Sequence, residues 1–106
     1  MIVSTMETVP GHEVVELLGV VRGNVIRAKH LGTDIVASLR NLVGGEVHEY
    51  TKLMAEAREQ GFDRMVEDAR RLDADAVVGI RFATSMVMAG AAEILVYGSA
   101  VRLRKL

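Results

Sequence analysis

The side chains with the clearest chemical potential in this chain are polar residues set inside apolar segments. Arg81 interrupts an alternating strand pattern, while Arg40 and Asn41 interrupt an otherwise apolar helical pattern. Glu46 and Tyr50 follow a Gly-Gly pair at the start of the next helical pattern, where backbone N–H groups can receive an anion. Because charges near a core are rarely left unpaired, these residues predict a salt-bridged network. Such a network either fixes the register between subunits or forms an anion or small-ligand pocket at a subunit junction.

Metal binding is a second possible chemistry, with His30 and Asp34 as the candidate ligands of a divalent metal ion. Imidazole and carboxylate groups bind such ions, but the thiolates that Zn and Cu(I) prefer are missing, since the chain has no cysteine. The intervening Gly32 and Thr33 mean that the two side chains need not share a helical face. Surface or capping roles stay open beside a metal site shared between subunits.

Motifs for catalysis and nucleotide binding are absent from the sequence. No serine lies in GxSxG or SxxK, and the glycines form neither GxGxxG nor GxxxxGK[ST]. Carboxylates that pair across space would leave no trace in sequence, so acid–base chemistry stays open. We nevertheless expect no enzyme activity.

Composition predicts one domain over residues 1–106, with no nucleic-acid partner. The chain has 13 basic and 14 acidic residues and a net charge of -1, which gives no basic field for a phosphate backbone. The lack of cysteine fits a reducing cytoplasm, where we expect the protein to reside. Half of the residues are hydrophobic and only 4% are aromatic, so the core must be mainly aliphatic.

Periodicity predicts an α+β fold with the order β-β-α-α-β-β. The expected strands cover residues 2–5, 14–28, 76–86 and 93–103, and the expected helices cover residues 35–43 and 46–73. Antiparallel hairpins with the helices packed on one face of the sheet are the economical arrangement.

Residues 82–101 carry one charge, Glu93, and could be mistaken for a membrane span. Read at period two, the segment divides into two strands around residues 88–91, and a charge near the middle of a span would be costly. We therefore expect a hairpin and no membrane partner; a membrane-associated protein is the alternative.

The strand patterns are apolar on both sides, which a monomer would leave exposed to water. Residues 14–28 are rich in Val on both alternating faces, and Gly19 and Gly23 predict either a bend or the close approach of another backbone. Burial against sister copies is the better explanation, so self-association is expected.

Several segments resemble the YbjQ-like family, which carries a heavy-metal-binding label. The resemblance rests on LRNLVGGE at residues 39–46, DAVVGIRF at residues 75–82 and YGSAV at residues 97–101. It implies a dodecin-like α+β subunit that assembles as a ring-shaped homopentamer, and it implies no particular activity. Where the family often has Gly, this chain has Asp73, which is less comfortable in a left-handed helix end. The expected function is a cytoplasmic homo-oligomer that binds a small ligand or ion at subunit interfaces; heavy-metal binding is the alternative.

Overall fold

The computed structural model describes residues 1–28 and 48–106, and it describes side chains in the second range from residue 51 onward. The elements of these residues, numbered along the chain, are β1 (Ile2–Val3), β2 (His12–Ala28), α1 (His48–Arg71), β3 (Ala76–Met88) and β4 (Ala91–Lys105). The predicted helix at residues 35–43 lies outside the described residues, so α1 is the single helix of the described part. The α+β class is confirmed.

The described strands form one mixed sheet in the order β1-β3-β4-β2. β4 pairs antiparallel with both β3 and β2, whereas β1 pairs parallel with β3. The prediction of a purely antiparallel sheet was therefore wrong at β1. A strand of two residues is too short to form a stable hairpin with β2. It extends the edge of β3 instead, where the Ser4 N–H donates to the Val77 carbonyl at 3.0 Å.

The predicted hairpin of the last two strands is confirmed, and its turn is at Ala89 and Gly90. Residues 82–101, the stretch with membrane-like hydropathy, belong to this hairpin. Across residues 1–28 and 48–106, no helix has the length and apolar character needed to cross a membrane.

The main core lies between α1 and one face of the sheet, which we call the inner face. Its helix residues Met54, Ala57, Met65 and Ala69 are buried, and their spacing places them along one side of the helix predicted at residues 46–73. The main sheet residues of this core are Val21, Val25, Ile94 and Val96. Burying such aliphatic groups against each other supplies most of the stability of a domain without disulfides.

The helix crosses the sheet at two glycines. A Cβ added to Gly23 of β2 would lie 2.1 Å from the Gly61 carbonyl oxygen and 2.6 Å from the Met65 nitrogen. Both atoms belong to the backbone of α1, so only glycine permits this separation. Of the two roles predicted for Gly23, the close approach of another backbone is the one observed.

The opposite face, which we call the outer face, is covered at one end by the described N-terminal residues. Val9 packs there against Ala76, Val78 and Val101 in a second, smaller cluster of buried residues. The Pro10–Gly11 turn follows Val9 directly and leads into β2. The N-terminal segment therefore covers part of the face that the sequence predicted to be buried against sister copies.

The helix ends with Asp73 in the left-handed conformation, although the sequence analysis considered aspartate less comfortable there. Asp73 has a φ of 60°, and the Ala74 N–H donates to the Ala69 carbonyl at 3.2 Å while the Asp73 N–H donates to the Arg70 carbonyl at 3.0 Å. These are the two hydrogen bonds of a Schellman motif, in which glycine is the preferred residue at the left-handed position. The local conformation is kept although aspartate occupies that position.

Candidate functional site

Of the side chains predicted to form a site, the structure describes only Arg81. Tyr50 lies near the start of α1, and the remaining candidates lie outside the described residues: His30, Asp34, Arg40, Asn41 and Glu46. The grouping of these residues therefore stays a prediction, and the described site must be built around Arg81.

Arg81 holds the N-terminal segment against β3. Its Nη1 donates to the Thr5 carbonyl oxygen at 3.0 Å and to the Ile80 carbonyl oxygen at 2.9 Å. Within the described part of the chain it makes no ion pair, so the salt-bridged network predicted around it is not observed there. Backbone carbonyls take the place of the expected carboxylate.

Arg81 also lines a cleft of about 500 Å³ on the outer face, which we call the outer cleft. The N-terminal segment and strands β2, β3 and β4 all contribute to its lining, which consists of Glu7, Thr8, Val14, Leu17, Val78, Gly79, Arg81, Ser99 and Val101. Its volume is in the range typical of small-molecule sites, about 300–1,000 Å³, and it combines an apolar lining with a few polar groups.

Irregular backbone is concentrated around the outer cleft. The pairing of β2 with β4 shifts register between Val14 and Glu16, and again between Leu17 and Gly19. On the other side, the pairing of β3 with β4 shifts between Val78 and Arg81, where Gly79 has a φ of 62°. Bulges re-aim side chains and are frequent next to functional sites. In this protein they direct both strands away from regular pairing at the same place.

Sequence reasoning missed the other polar residues of the outer cleft. Glu7 and Thr8 lie in a segment without periodicity, and only the contact of Val9 with the outer face brings them to the cleft. Ser99 lies in no nucleophile motif, so the sequence pattern does not single it out. The glycine at position 19, within a valine-rich strand, was the one available signal of the bulge.

A metal centre is not formed by the described residues. Within residues 1–28 and 48–106, no group of three or more His, Cys, Asp or Glu side chains could hold a metal ion. The one described histidine side chain, His12, has its Nδ1 3.1 Å from the Pro10 carbonyl oxygen. A group of three or more such ligands within one chain would therefore have to include residues beyond this part.

The edge strands β2 and β3 differ in which described groups hydrogen-bond to their outer backbone atoms. Along β2, side chains of α1 satisfy the backbone: Asp68 accepts from the Arg22 N–H at 3.2 Å, and the Arg64 Nη1 donates to the Asn24 carbonyl at 2.7 Å. Along β3, pairing with the N-terminal segment ends at Ile80, whose N–H donates to the Ser4 carbonyl at 3.1 Å. The hydrogen bonds that Asp68 and Arg64 make to β2 leave its edge a poor template for a further strand.

Residues 82–88 of β3 form what we call the open edge. They pair with β4 on one side, and no described residue pairs with them on the other. The segment, FATSMVM, carries no charge, and its large side chains are exposed to water: Phe82 is 50% exposed, Met86 71%, Val87 52% and Met88 65%. An uncharged, apolar and unpaired edge is the kind of surface that recruits another strand.

These features define an α+β protein in which the described helix covers one face of a mixed four-stranded sheet and the described residues leave one edge of that sheet open. The chain belongs to the YbjQ family: residues 1–104 match the family model described as "Putative heavy-metal-binding".

Relatives with high sequence identity occur in archaea and bacteria. The UPF0145 protein of Archaeoglobus fulgidus is 59% identical over 104 residues, covering 98% of this chain and 96% of the relative. A UPF0145 protein of Thermus thermophilus is 61% identical over 103 residues, covering 97% of this chain and 90% of the relative. That of Vibrio campbellii is 56% identical and covers 97% and 99% of the two chains.

One solved structure supports the fold. A crystal structure of a protein with unknown function from Pediococcus pentosaceus, which belongs to the DUF74 family, matches with a TM-score of 0.62. The alignment covers 98% of each chain at 15% sequence identity. At this identity the likeness concerns the fold alone.

Proposed function

We propose that this protein is a cytoplasmic homo-oligomer, with a ring-shaped, dodecin-like pentamer as the favoured assembly, and that it binds a small ligand or ion at its subunit interfaces. The observation that carries the proposal is the open edge of β3, whose apolar side chains and free backbone groups have no partner among the described residues. The family resemblance supports the pentamer.

Pairing of the open edge with a neighbouring copy would satisfy two needs at once. The outward N–H and C=O groups of residues 82–88 would gain strand partners, and the exposed Phe82, Met86 and Val87 would be removed from water. Left hydrated, a seven-residue uncharged edge of this kind would be an aggregation hazard. Closed assembly therefore protects the chain as well as stabilising it.

The difference between the two edges favours a closed ring over a continuous sheet formed by edge-to-edge addition of copies. Because α1 caps the middle of β2 through Asp68 and Arg64, continued edge-to-edge addition of β3 to β2 is obstructed there. The open edge then meets a different surface of the next copy. Head-to-tail contacts of this kind close into a ring when the rotation between copies permits.

The outer cleft would lie beside such an interface. Arg81 lines the cleft and immediately precedes the first residue of the open edge, Phe82. A neighbour on the open edge would thus border the cleft and limit the entry of water. This placement supports a ligand site at a subunit junction.

Size-exclusion chromatography with light scattering tests the assembly. We expect the wild-type protein to elute as a single oligomer at micromolar concentration, and we expect Val87→Lys to shift it to smaller species. The matched control is Leu72→Lys, which adds the same charge to an exposed apolar residue outside the strands, since Leu72 is 41% exposed and Val87 52%. A stable, well-folded wild-type monomer would overturn the proposal.

Heavy-metal binding is a second candidate function, which the description of the family model favours. Because the described residues form no metal-binding group, the ligands would be His30 and Asp34, completed by groups of a neighbouring subunit. Equilibrium dialysis with Zn, Cu, Ni and Co provides the test. Stoichiometric binding that is lost in His30→Ala supports this function, whereas no binding tighter than about millimolar removes it.

A further inference from the structure

Two opposite charges line the outer cleft without neutralising each other. Glu7 and Arg81 both contribute to its lining, yet within the described residues neither takes part in an ion pair. Arg81 uses Nη1 for the Thr5 and Ile80 carbonyls, and none of its other nitrogen atoms has a described protein partner. One cationic donor and one anionic acceptor thus remain available in the same cleft.

The rest of the lining is suited to a small apolar body. Val14 and Leu17 of β2 line the cleft together with Val78 of β3 and Val101 of β4. The hydroxyl side chains of Thr8 and Ser99 add neutral hydrogen-bonding groups. Leu17 is 69% exposed, so a ligand that covered it would remove apolar surface from water.

We propose that the outer cleft binds a small zwitterion with an aliphatic body, of the free α-amino acid class. The ligand carboxylate accepts hydrogen bonds from the free N–H groups of the Arg81 guanidinium, because arginine binds carboxylates through paired N–H groups. The ligand ammonium group donates to the carboxylate of Glu7. The aliphatic part lies against Val14 and Leu17, the apolar lining residues that are exposed to water.

The charge pattern discriminates against simpler ligands. A plain anion gains Arg81 but is repelled by Glu7, and a plain cation gains Glu7 but is repelled by Arg81. A polyphosphate would need several cations, and among the described residues that line this cleft Arg81 is the only lysine or arginine. The zwitterion is the class that both charges favour.

This inference deepens the ligand-binding part of the proposed function and rests on it, although a single chain supplies the described lining. The test is a titration of the full-length, isotopically labelled protein with L-leucine, followed by the amide NMR shifts of Gly79 and Ser99. Two half-molecules serve as comparisons: 4-methylpentanoate lacks the ammonium group and 3-methylbutylamine lacks the carboxylate. We expect saturable shifts with L-leucine and at least about tenfold weaker binding of each half-molecule, since one charge-assisted hydrogen bond is lost.

Charge variants assign the two ends of the ligand. Glu7→Gln is expected to weaken the binding of L-leucine and of 3-methylbutylamine by about tenfold or more. The binding of 4-methylpentanoate is expected not to weaken. Arg81→Gln is expected to weaken the binding of L-leucine and of 4-methylpentanoate. Arg81→Lys is expected to restore part of the lost affinity, because it keeps a donor to the Thr5 carbonyl. Arg22→Gln, outside the cleft, is the matched control and is expected to change nothing.

Two results would overturn the inference. One is the absence of saturable shifts with L-leucine up to about 10 mM, and the other is binding that neither Glu7→Gln nor Arg81→Gln weakens. Light scattering on the same samples separates this outcome from failure of the assembly. An oligomer that does not bind L-leucine overturns the zwitterion site and leaves the assembly standing. A monomer that binds L-leucine overturns the assembly and leaves the zwitterion site within one chain standing.

Discussion

Replacement of Gly23 by alanine is expected to destabilise the protein far more than the addition of one methyl group normally does. The new Cβ would lie 2.1 Å from the Gly61 oxygen, 2.6 Å from the Met65 nitrogen and 2.7 Å from the Arg64 Cβ. Since ordinary contacts begin at about 3.4 Å, α1 must move away from β2 by roughly 1 Å or more. Displacement on this scale loosens the packing of Met65 and Ala57, both fully buried in the main core. We expect a loss of about 2–5 kcal/mol in the free energy of unfolding.

Urea denaturation followed by circular dichroism measures this loss, with the protein concentration held fixed because the proposed assembly would make the apparent stability depend on concentration. Gly61→Ala is the matched control on the other side of the same crossing. Its Cβ meets a methyl group of Val96 at 3.0 Å, and alanine favours the helix by about 1 kcal/mol, so we expect a net change within about 1 kcal/mol. If Gly23→Ala unfolds at the same urea concentration as the wild type, the close approach of helix and strand is refuted.

Two further substitutions test the helix exit and the capped edge. Asp73→Gly is expected to stabilise the protein by about 0.5–1 kcal/mol, and Asp73→Val to destabilise it by about 1–2 kcal/mol, because Asp73 has a left-handed φ of 60°. Thermal unfolding checks both, and the opposite order would contradict the assignment. Asp68→Ala is expected to cost about 0.5–1 kcal/mol and to speed amide exchange at Arg22, which loses its acceptor. Glu67→Ala, which removes only an exposed pair with Arg70, is the control and is expected to cost less than about 0.5 kcal/mol; equal effects would argue against edge capping.

The sequence predicted the elements whose periodicity extends over many residues. The hairpin of β3 and β4 follows from alternation at period two, and α1 follows from apolar residues at helical spacing, among them Met54 and Met65. The close approach at Gly23 was one of two roles that a glycine in a buried strand suggests. Each of these features depends on local pattern, which is visible without tertiary structure.

The pairing of β1 and the composition of the outer cleft could not be obtained in the same way. Residues 2–5 are too few to carry a pattern that selects a partner, so the parallel pairing with β3 depends on the path of the chain through Val9. Glu7 reaches the cleft by the same path. The capping of the β2 edge joins Asp68 to Arg22 across 46 residues, a distance that no local rule spans. Long-range placement of short, irregular segments is what sequence patterns leave undetermined.

The central claim is that a sister copy covers the open edge of β3, and hydrogen exchange of the backbone amides at residues 82–88 tests it most directly. In the native assembly we expect the outward-pointing amides of this segment to exchange as slowly as those of β4, and Val87→Lys to abolish the protection while β4 stays protected. Exchange at the rate of a free peptide in the wild type, with β4 still protected, would contradict the account.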